Sequence, residues 1–456
     1  MAGIGFELRK LLRKDSFLGL IQAYGYAGII SSGPWVLSIL GVMAVGILSA
    51  GLNTQADIVI SFLISITYLM ACSIITGGWL QLMLTRYISD LIFAKKTVEI
   101  LPNLLGALVV TTLTSFFIGL LFWPLFLQES LAYRLLMLSS LIVLSNIWIL
   151  VVMLSGLRSY HKVLSTFFIG YSLTILFALL LRPYGLVGLL SGFLLGQSIM
   201  MYIMLGLMVQ EYEAKQLILF DFLHRKKVFY SLAAISIIYN LGIWTDKFVF
   251  WFNPITSEAI IGPLRSSIIY DPPIFLAYLS IVPGMAVFLL RMEADFVDKY
   301  NKFYDAVRDG GSLSSIRQLK KSMIKTIRMS FLEIFKIQAI TVMILIYAAN
   351  DVLAAFNIST NYSMLFSINV AAVGVQVVLL GVFNVLFYLD KRYTILALCI
   401  FFALTNLSLS LLSQHLGPSY YGYGFASAVF LTTFIGFIAL NRKLIRLEYE
   451  TFMLQR

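Results

Sequence analysis

Apolar runs of about 20 residues alternate with short polar breaks along almost the whole chain. A helix of about 20 apolar residues crosses roughly 30 Å of hydrocarbon. Runs of that kind lie at about 17–50, 58–85, 101–128, 131–157, 163–182 and 185–210. A polar interval at 211–227 interrupts them, and a second set follows at about 228–252, 266–290, 334–350, 361–389, 393–414 and 421–441. The pattern predicts an all-α integral membrane protein with twelve transmembrane helices. Six fall in an N-terminal half, 17–210, and six in a C-terminal half, 228–441. The alternating ten-residue segments of a transmembrane β-barrel are not what this pattern shows.

The connections differ among themselves. Residues 1–16 place Ile4, Leu8, Leu11 and Leu12 at helical spacing among basic residues. That suits an amphipathic cytoplasmic segment on the inner leaflet, or simply a basic flank that orients the first span. The run behind it is too long for the apolar core of a cleavable signal, so the first span is expected to stay as an anchor. Ser31-Ser32-Gly33-Pro34 interrupts that span, because proline removes a backbone donor. The longest break, 291–333, has RDGGSLSS between two amphipathic basic stretches. It reads as two surface helices joined by a flexible turn, available to a cytoplasmic partner or serving only as a solvated elbow. Residues 442–456 form a cytoplasmic tail.

Composition agrees with the spans: 60% of the 456 residues are apolar and 12% charged, and mean hydropathy is +0.91. With the N-terminus inside, only Arg134, Arg182, Lys247 and Arg265 of the 33 Lys and Arg lie in or beyond the outer half. Such asymmetry obeys the positive-inside rule and puts both termini in the cytoplasm. The outward acids are Asp57, Glu129, Asp246, Glu258, Asp271 and Asp351. The net charge of +11 is therefore a product of topology at a lipid bilayer and calls for no nucleic acid. Cys72 and Cys399 both lie in apolar runs and read as packing residues, offering no zinc spacing and no disulfide framework.

The stretch YNLGIWTDKFVFWF, 239–252, puts an acid and a base side by side inside a span. A charge at the bilayer centre costs roughly 2.5–3.5 kcal/mol on insertion scales, so such groups face a bundle interior or a water-filled path. Asp246 and Lys247 are thus the leading candidates for function. Adjacent helical positions point about 100° apart, so the two are expected to seek different partners. Lys247 has Trp244 at i−3 and Trp251 at i+4 for a cation–π contact, and Asp246 shares a face with Tyr239. Asp246 lies roughly 28 Å along a helix from Lys227, near the outer leaflet, where Lys247 has the alternative of snorkelling to the interface.

The opening GIGFELRKLLRKDSFLGLIQAYGYAGIISSGPW and the string NLGIWTDKFVFWF closely resemble the PelG family, the inner-membrane component of Pel exopolysaccharide export, and the resemblance runs along the whole chain. It implies membership of the MOP superfamily, with lipid-oligosaccharide flippases and MATE exporters, and two six-helix lobes around a central cavity in the bacterial cytoplasmic membrane. It further implies a neutral N-acetylhexosamine polymer as cargo. A cytoplasmic glycosyltransferase and membrane partners that sense cyclic-di-GMP are the implied protein partners.

The residues themselves suit a neutral cargo. The first span carries no acid or base, the second none between Ile58 and Thr85, and the eighth only Asp271. A flippase for pyrophosphate-linked sugars calls for Arg or Lys in its path, and only Lys247 is at hand. A neutral polymer asks instead for hydroxyl and amide partners and flat apolar faces. Ser31, Ser32 and Trp35 in the first span, Tyr239, Asn240 and Trp244 in the seventh, and Asp271 and Tyr278 in the eighth supply such groups, although each also suits lipid contact or packing. Asp271-Pro272-Pro273 and Pro283-Gly284 predict an irregular eighth helix. No P-loop, DxD string or domain-sized insert is present, so neither ATP hydrolysis nor glycosyl transfer, and no cofactor, is expected of this chain. A lipid-linked oligosaccharide flippase and a membrane scaffold with no pathway are the competing readings.

Overall fold

A computed structural model describes residues 24, 27–28, 36–49, 55–154, 160–224 and 228–453. The N-terminal amphipathic segment and the Ser31–Pro34 break lie outside the described residues, as do Ser31, Ser32 and Trp35. Among the described residues nine helical stretches are long and apolar enough to cross a membrane.

The chain forms two compact units, one from Pro34 to Ile268 and the other from Ile269 to Arg456 together with the residues before Pro34. In the first, α1 (Val36–Ser49) precedes α2 (Ala56–Phe93), whose 38 residues give a rod of about 57 Å. Then come α3 (Ile100–Phe122), α4 (Leu131–Leu154), α5 (Tyr160–Leu181), α6 (Gly185–Glu211) and α7 (Tyr230–Phe252). Helix α2 is the centre of this unit and packs on α3, α4 and α7. The unit thus runs past the 211–227 interval and takes in the span that carries Asp246.

Helices α5 and α6 form the tightest pair, turning back through the 3-10 segment Arg182–Tyr184 and Gly185, whose φ is 66°. The spacing Gly188, Gly192, Gly196 lays one glycine per turn along α6. A Cβ at Gly192 would sit 2.3 Å from the Ala178 backbone nitrogen, and one at Gly196 2.4 Å from Thr174 Cα. Close backbone approach through small residues is how membrane helices gain contact where lipid removes the hydrophobic drive.

The second unit begins with α8 (Asp271–Tyr278) and α9 (Ile281–Phe288), followed by a π-helical stretch Leu289–Phe296 and α10 (Val297–Arg308). The eighth span is irregular, as its prolines predict: Pro272 and Pro273 open α8 and Pro283 falls in the first turn of α9. Helix α11 (Leu313–Tyr347) follows, then α12 (Ala349–Ala355), α13 (Ser363–Tyr388), α14 (Arg392–Leu416), α15 (Tyr423–Ile445) and α16 (Leu447–Met453). Helix α13 is the buried centre, with α8, α11 and α15 packed around it.

The 291–333 connection differs from two separate surface helices. Its turn is where the glycines put it, with Gly310 at φ 71° and the Ser312 hydroxyl capping α11. Beyond Ser312, however, no glycine or proline stops the helix before Tyr347, so the second basic stretch and the following span are one helix of 35 residues.

Candidate functional site

Helix α7 is held at three places. Asn240 Nδ2 donates to the Ile74 carbonyl at 3.0 Å, and Gly78 makes room for it, since a Cβ there would lie 2.4 Å from Nδ2. At the far end, helix termini leave carbonyls without intrahelical donors. Here Thr256 Oγ1 donates to the Phe250 carbonyl at 2.8 Å and Ser257 Oγ to that of Trp251 at 2.6 Å. The chain then folds back in a hairpin, β1 (Glu258–Ile261) antiparallel to β2 (Leu264–Ser266), turning at Gly262 with φ 50°. Its isoleucines and the Gly-Pro pair were the available signal. Arg265 donates to the Ser257 carbonyl at 2.8 Å, and Tyr68 of α2 donates to the Arg265 carbonyl at 2.9 Å. The Tyr68 ring stacks on Trp251 at 4.4 Å and closes that end of α7.

Between these ties sit Asp246 and Lys247, 0% and 1% exposed. The expectation that they would seek separate partners is corrected. Lys247 Nζ lies 3.1 Å from both Oδ1 and Oδ2 of Asp246 and donates to the Ile243 carbonyl at 2.9 Å. The Cα–Cβ vectors do diverge, but a four-carbon stem is long enough to curl back across that angle. With both side chains buried, the neighbouring carboxylate is the strongest acceptor for the ammonium. Nor does Lys247 snorkel. Its Nζ is 5.8 Å from the centroid of the Trp244 ring, the expected cation–π geometry. The pair is formally neutral and makes burial of both charges tolerable.

A polar seam continues from α7 along α2 to α4. Thr76 and Ser145 hydroxyls meet at 3.1 Å, Trp148 donates to Ser73 at 3.0 Å, and Ser65 meets the Tyr133 hydroxyl at 2.9 Å. These small hydroxyls were invisible as a set in sequence because each lies in an apolar run. The structure therefore gathers Asn240, Trp244, Asp246 and Lys247 as buried residues of one helix, with Tyr239 half-buried beside them. Asp271 and Tyr278 are buried in the other unit. That unit has its own polar interior on α11, α13 and α14, which sequence reading passed over. Asn369 is 0% exposed, and neither its Oδ1 nor its Nδ2 meets a partner among the described residues. Gln338 donates to the Ser280 carbonyl at 3.0 Å, and Ser410 to Asn406 Oδ1 at 3.0 Å. Among the described residues no cluster of His, Cys, Asp and Glu suits a metal ion.

Long apolar helices in this order define a multi-pass membrane protein with the fold of MOP-superfamily transporters. The fold is similar to an outward-facing multidrug resistance MATE family transporter of that superfamily, with TM-score 0.66 and 14% identity over 93% of this chain and 96% of the other. It is similar also to a MOP superfamily transporter from Pyrococcus furiosus whose binding pocket is described as reversed in polarity, with TM-score 0.65, 14% identity and the same coverages. An inward-facing MATE transporter matches at TM-score 0.63 and 13% identity over 93% and 95%. No curated protein matches in sequence. The PelG family model, described as "Putative exopolysaccharide Exporter (EPS-E)", matches residues 1–452, and the chain belongs to that family.

Proposed function

We propose that this protein exports a neutral N-acetylhexosamine polymer of the Pel type across the bacterial cytoplasmic membrane, receiving it from a cytoplasmic glycosyltransferase. The observation that carries the proposal is the family match along 1–452. Membrane partners that sense cyclic-di-GMP belong to the same reading and rest on the resemblance alone. The chain transports and does not catalyse, in keeping with a transporter family and fold.

Twelve crossings are part of the same proposal, six before the 211–227 interval in sequence and six after it, with both termini and the 291–333 connection in the cytoplasm. The stretch Leu164–Glu211, one apolar run by length, comprises the separate helices α5 and α6. Helix α7 has 23 residues, long enough to span, and its hydropathy is lowered by Asn240, Asp246 and Lys247. These two additions and the expected first span bring nine to twelve.

The proposed path is lined from Tyr239, Asn240, Trp244, Asp246 and Lys247, with Ser31, Ser32, Trp35, Asp271 and Tyr278. The state of Lys247 argues against the lipid-linked flippase reading. A lysine whose ammonium is held by Asp246 and the Ile243 carbonyl is a poor receptor for a diphosphate, which needs uncompensated charge. The test compares wild type, a deletion and Asp246→Asn in cells with intact synthesis machinery. External N-acetylhexosamine polymer is measured at matched membrane abundance. Export lost in both variants, with the polymerase active and the complex assembled, supports the pathway and the site. Normal export from Asp246→Asn alone removes the site, and normal export from the deletion removes the exporter.

A further inference from the structure

Helix α16 turns its charges the wrong way for a water-exposed tail. Both of its acids face the protein. Glu448 is 3.4 Å from Lys320 Nζ and 3.7 Å from Arg317 Nε, and Glu450 pairs with Lys391 and, at 3.1 Å, with Lys443. Lys320 also donates to the Ile445 carbonyl at 3.2 Å, which fixes the end of α15. What α16 shows to its surroundings is apolar: Tyr449 is 61% exposed, Phe452 49% and Met453 68%, beside Ile445 at 66%.

This face continues a stripe that begins inside the span. Phe430 and Phe434 of α15 are 60% and 59% exposed and Ile438 is 41% exposed, at helical spacing with exposed Arg442 and Arg446 and then Tyr449 and Phe452. In a multi-pass membrane protein the first part of such a stripe meets lipid tails, and a basic turn marks the headgroups. From Arg442 to Met453 a fully helical chain reaches no more than about 17 Å, so the tail stays close to the interface.

We propose that α16 is an interfacial foot, its Tyr449, Phe452 and Met453 resting in the inner-leaflet lipid surface while Arg442 and Arg446 meet headgroup phosphates. The clamp to Arg317, Lys320, Lys391 and Lys443 turns two carboxylates away from an anionic surface and leaves the apolar edge to dock. The choice of leaflet rests on the cytoplasmic C-terminus proposed above.

The full chain is prepared with Cys72→Ser and Cys399→Ser. An environment-sensitive fluorophore is attached at Phe452→Cys, or at Arg308→Cys on the cytoplasmic elbow as a solvent control. Vesicles contain phosphatidylethanolamine and phosphatidylglycerol. The foot predicts quenching at position 452 by lipids spin-labelled near the headgroup, and iodide quenching several-fold weaker than at 308. Iodide quenching equal to the control overturns the proposal, and so does protection from both quenchers, which would mean that protein covers the face. Reaction of Arg308→Cys with an impermeant maleimide in spheroplasts, before and after permeabilisation, tests the sidedness separately.

Discussion

The ammonium of Lys247 and the carboxylate of Asp246, neighbours in the chain, hold one another at 3.1 Å inside a helix where neither is exposed. A buried pair of this kind behaves as one unit. Removing one partner strands the other charge and costs roughly 3–5 kcal/mol, whereas replacing both is far milder. Thermal unfolding in detergent should show Asp246→Asn and Lys247→Met each lowering the melting temperature more than the double variant. Additive losses would mean that the pair is not coupled.

The α5–α6 contact gives a contrast between two glycines of one helix. Gly192→Ala drives a Cβ against the Ala178 backbone, which has no flexible end to move aside. Overpacking of that sort costs about 1–3 kcal/mol. Gly206→Ala meets nothing within 4 Å and should be neutral or gain up to about 1 kcal/mol. Melting temperatures of the two variants check the ordering.

Glu450 makes the tail sensitive to acid. Burial raises its pKa, but hydrogen bonds and charge from Lys391 and Lys443 outweigh burial and hold it below the ordinary 4.5. A depressed carboxylate contributes stability that is full above the unfolded value and lost as pH falls through the folded one. The melting-temperature gap between wild type and Glu450→Gln should therefore be constant near neutrality and close in acid, below about pH 4.5. A gap that widened on acidification would reverse the assignment.

Asn369 is buried with both side-chain polar atoms unmatched among the described residues. An unpaired buried donor or acceptor costs about 1–3 kcal/mol, and an apolar group of the same shape removes that cost. Asn369→Leu should raise the melting temperature, and a fall would show that the carboxamide has a partner holding the fold.

Most helices were legible because span length and apolar composition are set by the bilayer. The runs at 131–157 and 185–210, for instance, became Leu131–Leu154 and Gly185–Glu211. What could not be read were relations that side-chain reach and tertiary contact decide. Divergent Cβ directions hid the pairing of Asp246 with Lys247, because rotamers and not backbone vectors place an ammonium. The expected break before residue 334 failed because charge alone does not end a helix that lacks Gly or Pro. The hairpin at 258–266 went unread because strands of four and three residues are too short for periodicity to show. The Gly188-Gly192-Gly196 stripe was legible in principle, since its four-residue spacing is itself the packing signal.

The most direct test of the exporter reading is made with the purified chain in inverted vesicles, supplied from outside with the cytoplasmic glycosyltransferase and nucleotide sugar. N-acetylhexosamine polymer that survives an added hydrolase is then measured. Wild-type vesicles should enclose protected polymer, and vesicles without the chain should enclose none. Equal protection in both, or full digestion in both while synthesis proceeds, would contradict the claim that this protein is the path across the membrane.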